Sequence, residues 1–160
     1  MKYIIRKIQP SDNKILAQII RSAFTEFDAP KTGTVFEDKT TDNLYELFQQ
    51  EKTIMLVAEE EGVILGCCGI YPTEGLPDGC AELVKFYLDK NARGKGVGKQ
   101  LMLQCFDSAK EMGYDALYIE SLPHFSKAVN MYEKVGFTHL SAPLGMSGHT
   151  SCNIWMYKEL

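Results

Sequence analysis

The stretch Arg93-Gly94-Lys95-Gly96-Val97-Gly98-Lys99 decides the fold. It lies between an apolar strand pattern ending at Leu88 and an apolar helix pattern that starts at Val97. Three glycines at alternate positions let the backbone turn tightly and come close to a ligand, because no Cβ stands in the way. The amphipathic run that follows makes the loop a helix start. Its unpaired N–H groups and the positive end of its dipole face whatever sits there. Arg93, Lys95 and Lys99 add positive charge at the same place. The stretch reads as a cradle for a phosphate or pyrophosphate.

Spacing narrows the choice of ligand. Gln100 follows Lys99, so the hydroxyl that a Walker-type loop offers to magnesium is missing. Gly94-x-Gly96-x-Gly98 departs from the Gly-x-Gly-x-x-Gly of dinucleotide sites, and it falls in mid-chain rather than in a first strand-to-helix unit. What remains is Arg-x-x-Gly-x-Gly, on Arg93, Gly96 and Gly98. The bland alternative is a glycine-rich turn that merely starts a helix.

Outward from the loop, periodicity orders the rest of the chain. Upstream, Tyr3 to Ile8 reads as a first strand. A helix starting at Pro10-Ser11-Asp12 carries Ile15, Leu16, Ile19, Ile20, Ala23, Phe24 and Phe27 at helical spacing. Ala29 to Thr40 is a loop, and a short helix bears Leu44, Leu47 and Phe48. Thr53 to Glu59 and Val63 to Tyr71 form a hairpin around Glu61-Gly62, and Ala81 to Leu88 is the strand that enters the glycine loop. Downstream, a helix runs to Gly113, a strand from Asp115 to Ser121 and a helix from Ser126 to Val135. A strand begins at Gly136-Phe137, and Ser151 to Lys158 is the last. Without repeats or a linker, this predicts one α/β domain over residues 3–160.

At 160 residues and 45 % hydrophobic, the chain can bury a full core. It has no apolar run of the ~18 or more residues that a membrane span requires, and the apolar start at Tyr3-Ile4-Ile5 is too short for a signal peptide. Cys67, Cys68, Cys80, Cys105 and Cys152 are odd in number and lack a Cys-x-x-Cys pair, which predicts reduced thiols, a cytoplasmic location and no metal site. A net charge of −4 argues against general nucleic-acid binding. Acids outnumber lysines between Glu26 and Glu61. That segment would favour a cationic amine if it borders an acceptor site, and is otherwise a solvated surface.

The spacing on Arg93, Gly96 and Gly98 resembles the coenzyme A pyrophosphate loop of the GNAT superfamily of N-acetyltransferases. Ala128-Val129-Asn130-Met131-Tyr132-Glu133-Lys134-Val135-Gly136-Phe137 resembles the same family's Ala-x-x-x-Tyr-x-x-x-Gly-Phe segment, with one helix and one strand between the two motifs. The order of elements resembles the whole GNAT fold. The resemblance implies a mixed, mostly antiparallel sheet of six to seven strands, parted at the cofactor site and flanked by about four helices. It implies transfer of an acetyl group from acetyl-CoA to an amine: a small amine, an amino acid or a protein amine. A non-catalytic acyl-CoA sensor is the alternative. It places backbone groups of Phe86, Tyr87 and Leu88 against the pantetheine arm and Arg93, with the amides of Gly94, Lys95, Gly96, Val97, Gly98 and Lys99, against the pyrophosphate. Pairing into a homodimer through C-terminal strands is common in similar proteins.

An amine must be neutral to attack a thioester. Removing the proton of a lysine-like amine (pKa ~10.4) at pH 7 costs about 4.6 kcal/mol, against about 1 kcal/mol for an N-terminal amine near ~7.8. A carboxylate base is therefore useful, provided burial raises its pKa. Glu82 matches the base of the family's histone-acetylating branch, and Glu120 resembles the base of the branch that acetylates protein N-termini. Either could instead be a structural carboxylate paired with a cation, such as Lys85 beside Glu82. Tyr132 resembles the family's general acid, which protonates the departing thiolate. Where the N-terminal branch has a coenzyme-contacting asparagine, this chain has Phe125. His124 and His149 could each be a base or a substrate contact, His149 the better placed, near Gly148 and Thr150 in the last loop; the alternative is a plain surface histidine.

Overall fold

Alternating apolar residues in four successive runs build one edge of a sheet, and two helical stripes cover its faces. The computed structural model describes residues 2–160. Its strands are β1 (Ile4–Lys7), β2 (Ile54–Glu60), β3 (Val63–Tyr71), β4 (Cys80–Leu88), β5 (Ala116–Ser121), β6 (Thr138–His139) and β7 (Ile154–Glu159). Its helices are α1 (Asn13–Glu26), α2 (Leu44–Leu47), α3 (Val97–Glu111) and α4 (Ser126–Lys134). The seven strands form one sheet in the order β1-β2-β3-β4-β5-β7-β6. Every neighbour pair is antiparallel except β4 and β5, whose parallel pairing follows from the crossover through α3.

Leu101, Met102, Cys105 and Phe106 of α3 pack with Val129 and Tyr132 of α4 on one face, against Leu56, Leu83, Leu117 and Ile119. Leu16, Ile20 and Phe24 of α1 pack with Leu44 of α2 on the other, against Met55, Val57 and Cys67. Each fully buried leucine or isoleucine here contributes roughly 1.5–3 kcal/mol relative to exposure.

Two irregularities in β4 shape the centre of the sheet. Cys80, Ala81 and Glu82 pair with Ala116, Leu117 and Tyr118, and the pairing stops there although both strands continue. β4 stays bound to β3, but Cys67 faces Tyr87 while Gly69 faces Val84, so two steps on β3 match three on β4. The extra residue is a bulge at Lys85, whose φ of 54° is left-handed. A left-handed lysine costs on the order of 1–3 kcal/mol, so the surrounding sheet must hold it there.

The elements fall where sequence periodicity puts them, with local exceptions. Pro10–Asp12 is a separate 3-10 turn before α1. The Asp12 carboxylate accepts from Arg6 Nη1 at 2.8 Å and from the Gln9 amide at 2.7 Å, which ties the turn back to β1. The strand expected from Gly136 is only Thr138–His139, and the last strand begins at Ile154 rather than Ser151. Ser151 is diverted. Its amide donates to the Gly33 carbonyl at 3.1 Å and its hydroxyl to the Thr32 carbonyl at 2.6 Å.

Candidate active site

The three loop glycines do different jobs. Gly94 and Gly96 have φ of 75° and 80°, and nothing lies within 4 Å of the Cβ either would carry. They are needed for the left-handed turn, and they leave open space in front of the loop. Gly96 caps α3, whose first hydrogen bond runs from the Gln100 amide to the Gly96 carbonyl at 3.2 Å. The amides of Val97, Gly98 and Lys99 thus point outward without a side-chain cap. Gly98 differs from the sequence expectation of ligand approach. A Cβ there would meet Phe86 Cζ at 3.0 Å and Leu88 Cδ1 at 3.1 Å, so Gly98 lets α3 lie close on β4. Val97 is wholly buried and anchors the helix start, while Lys95 and Lys99 are exposed. The Arg93 side chain turns back from the loop to α1. It bonds Glu26 Oε2 at 2.7 Å and the Leu88 carbonyl at 3.2 Å, and its guanidinium lies 5.0 Å from the Phe27 ring centre.

Beyond Glu82 the parted strands leave the β5-facing edge of β4 unpaired over Phe86, Tyr87 and Leu88, and a cavity of about 70 Å³ opens beside it. Glu82, Glu120, Tyr132 and His149 all line this cavity, so the structure brings these four sequence candidates together. His124 is exposed and outside it. Phe125 lies in an aromatic cluster with Phe24, at 5.1 Å between ring centres, and with Tyr87, at 6.0 Å.

The two glutamates differ. Glu82 is buried, and burial is the chief reason its pKa is pushed up to about 7; the nearby Glu120 charge adds to this. Its Oε1 accepts the Thr73 hydroxyl at 2.6 Å, and its Oε2 has no donor among the described residues. Thr73, not Lys85, is therefore its hydrogen-bonding partner. Both oxygens of Glu120 are taken, Oε2 by the Tyr118 hydroxyl at 2.7 Å and Oε1 by the Ser147 hydroxyl. The Tyr132 ring sits 6.0 Å from those of Phe86 and Phe137, and burial raises its phenol well above the ordinary value, so it stays protonated.

Two loops roof the cavity. His149 Nε2 lies 3.0 Å from Asp38 Oδ2, and the His149 amide donates to Ser147 Oγ at 3.1 Å. Asp38 also accepts from the Thr40 amide and hydroxyl. The His149 bond, with those from Thr40, holds the Asp38 carboxyl well below the usual carboxylate range. Under this roof lies Lys85, buried, with Nζ 3.9 Å from Asp38 Oδ2. Burial lowers its pKa against the opposing pull of Asp38 and Glu82. Sequence reading missed Lys85, Asp38 and Thr73 as parts of the site. A signal for Lys85 existed: a charge in the run Leu83-Val84-Lys85-Phe86-Tyr87 breaks the strand pattern where the bulge falls.

Comparison with known proteins agrees with this architecture. The profile of the acetyltransferase (GNAT) family matches residues 16–137. The uncharacterised N-acetyltransferase YjgM of Escherichia coli K12 is 34% identical over 158 residues, covering 98% of this chain and 95% of its own. A GNAT-family acetyltransferase structure from Staphylococcus aureus Mu50 superposes with a TM-score of 0.86 at 21% identity, covering 99% of both chains. YncA of Salmonella typhimurium, solved with acetyl-CoA, gives a TM-score of 0.76 at 22% identity, covering 100% of this chain and 95% of its own. The chain belongs to the GNAT family of acetyltransferases, and it is an acyltransferase. No helix among the described residues is long and apolar enough to cross a membrane.

Proposed function

We propose that residues 3–160 act as one N-acetyltransferase domain that moves the acetyl group of acetyl-CoA directly onto an amine. The observation that carries this reading is the end of β4–β5 pairing at Glu82, which puts a buried carboxyl and the Tyr132 phenol on one cavity beside an unpaired strand edge. The residues fit the cosubstrate. The uncapped amides of Val97, Gly98 and Lys99, with the space before Gly94 and Gly96, suit a pyrophosphate, and Lys95 and Lys99 add charge. The open edge at Phe86, Tyr87 and Leu88 offers backbone groups to the amide-bearing arm.

Glu82 is the general base in this reading. A carboxyl near 7 is half ionised at neutral pH and far better matched to an ammonium than one at 4.5. Its free Oε2 takes a proton from the acceptor ammonium, directly or through one water. The amine nitrogen then attacks the thioester carbon and the N–C bond forms; the C–S bond breaks with its electron pair leaving on sulfur, and the second nitrogen proton passes to solvent or to the departing thiolate, leaving a neutral amide and coenzyme A. Tyr132 donates a hydrogen bond to that sulfur. Full proton transfer from an ordinary phenol to a thiolate is uphill by roughly 2 kcal/mol, and burial makes it steeper here. The phenol thus acts by stabilising developing charge. Glu120, with both oxygens engaged, holds the Ser147 end of the roof.

A covalent acyl-cysteine route is disfavoured. Burial pushes the thiols of Cys67 and Cys152 up to about 12 and that of Cys80 up to about 11, so none is a ready thiolate. The five cysteines, odd in number and without a Cys-x-x-Cys pair, fit a reducing, cytoplasmic setting. The test is thiol release from acetyl-CoA in the presence of a panel of amines. Binding of acetyl-CoA with no thiol release on any amine would point to a sensor instead.

A further inference from the structure

Acyl transfer explains Glu82 and Tyr132 but leaves a cation at the acceptor end of the cavity unexplained. Lys85 is buried to 7% relative exposure and lines the same cavity as Glu82. Its nearest carboxylate oxygen, Asp38 Oδ2, is 3.9 Å away, beyond hydrogen-bond reach, and is already engaged by His149. Its ammonium donates no hydrogen bond to any described residue. An ammonium has three donors, and those of Lys85 are turned to the cavity rather than to a protein acceptor, so a ligand there can accept from them.

The backbone is bent to put it there. Leu83, Phe86 and Leu88 pack on the α3 side of the sheet, and Val84 and Tyr87 pack on the α1 side. Simple alternation would send Lys85 with Leu83 toward α3. The left-handed bulge residue keeps it on the side of Asp38 and His149 instead. Glu82 and Lys85 therefore present opposite charges to one small space, with the roof of Asp38 and His149 above the lysine.

We propose that the acceptor is a small zwitterion of the amino-acid type, whose carboxylate is bound by Lys85 while its amine faces Glu82. This rests on the acetyltransferase reading above and names its substrate class. Glu82 and Lys85 stand three residues apart on β4 and line the same cavity, which limits the distance between amine and carboxylate. A site built around a buried polar group discriminates strongly against an analogue lacking the partner for it.

The test pairs each amino acid with its decarboxylated amine and its carboxamide, at fixed acetyl-CoA, and reads kcat/KM by thiol release. The expected result for the wild-type protein is a preference of tenfold or more for the carboxylate-bearing member, mostly in KM. Lys85→Met should bring the ratio within each set toward one, and Lys85→Arg should restore part of it. Equal use of the three members by the wild-type protein, or a preference that survives Lys85→Met, overturns the proposal. If Lys85→Met does not fold, the wild-type ratios and the Lys85→Arg ratios decide. Acetylation of amines without carboxylate preference sinks this inference alone, whereas no thiol release on any amine sinks the catalytic reading itself.

Discussion

Glu82 and Tyr118 form the last rung between β4 and β5, so the Glu82 carboxyl stands at the vertex where the two strands part. Its acidity there follows from its surroundings: burial pushes it up to about 7, against the Thr73 hydroxyl and the charge of Lys85. As a base it must be ionised. Activity on a given amine should therefore rise as pH passes through about 7, beyond the rise due to titration of the amine itself. Glu82→Gln should lower turnover by ~100-fold or more and erase that acidic limb. A pH profile of kcat/KM for both proteins checks this, and an unchanged limb in the variant removes Glu82 as the base.

The same carboxyl predicts a gain in stability on substitution. Held near 7 rather than at 4.5, Glu82 binds its proton more tightly in the folded chain, so its contribution to stability falls as pH rises from 4.5 through 7. Above that window the penalty is on the order of 3 kcal/mol. Glu82→Gln keeps an oxygen for Thr73 and removes the charge. Thermal unfolding at pH 8 should show the variant more stable than the parent, with the difference shrinking toward pH 5.

Tyr132→Phe removes only a hydroxyl from a ring packed against Phe86 and Phe137. We expect turnover to fall by ~10-fold with the KM for acetyl-CoA nearly unchanged. Steady-state kinetics with one good acceptor decides it, and unchanged turnover takes the phenol out of the mechanism.

Gly96→Ala and Gly98→Ala should fail in different ways. At Gly98 the new methyl meets the Phe86 and Leu88 side chains at 3.0 and 3.1 Å, so these side chains or α3 must give by a small shift, at a cost of about 1–3 kcal/mol. At Gly96 there is room, but a φ of 80° strains alanine by about 1–2 kcal/mol, and the methyl enters the space before the loop amides. Calorimetric titration with acetyl-CoA should show the larger affinity loss in Gly96→Ala relative to its stability loss.

Arg93→Ala tests what the loop arginine does. Its guanidinium is partly exposed and engaged with Glu26 and Phe27, so the stability loss should stay within about 1 kcal/mol. If the side chain orders the loop through α1, Glu26→Gln should raise the acetyl-CoA KM in parallel. If only Arg93→Ala raises it, the arginine leaves Glu26 to meet the pyrophosphate.

Most of this architecture was legible in the sequence because it depends on local pattern. The glycine loop, the helix behind it and the β2–β3 hairpin each carry a period or a turn signal that tertiary contacts did not override. Glu82, Glu120 and Tyr132 were named from motif position and His149 from its place in the last loop, and all four line one cavity. The pattern could not give the reach of Ser151 to Gly33, which pulls the last loop away from strand geometry, nor the Thr73 bond to Glu82. Both join residues whose proximity exists only once the sheet is folded. The packing role of Gly98 was hidden for a related reason: a glycine facing a ligand and a glycine facing a neighbouring strand look alike in a string of letters. Lys85 lay between these cases, since its oddness in an apolar strand was visible but its direction was set by a bulge.

β7 lies between β5 and β6 although it is the last strand in the chain, and β6 pairs with nothing else. Nothing beyond β5 can therefore join the sheet until β7 docks. The docked strand also brings in the segment holding Ser147, His149 and Cys152, so this side of the cavity depends on β7 staying in place. By the same logic it is first to loosen when β7 peels away. Under mild denaturant, hydrogen exchange at residues 145–158 should outpace that of β2 and β3, and acceptor binding should fade before the coenzyme loop loses its shape.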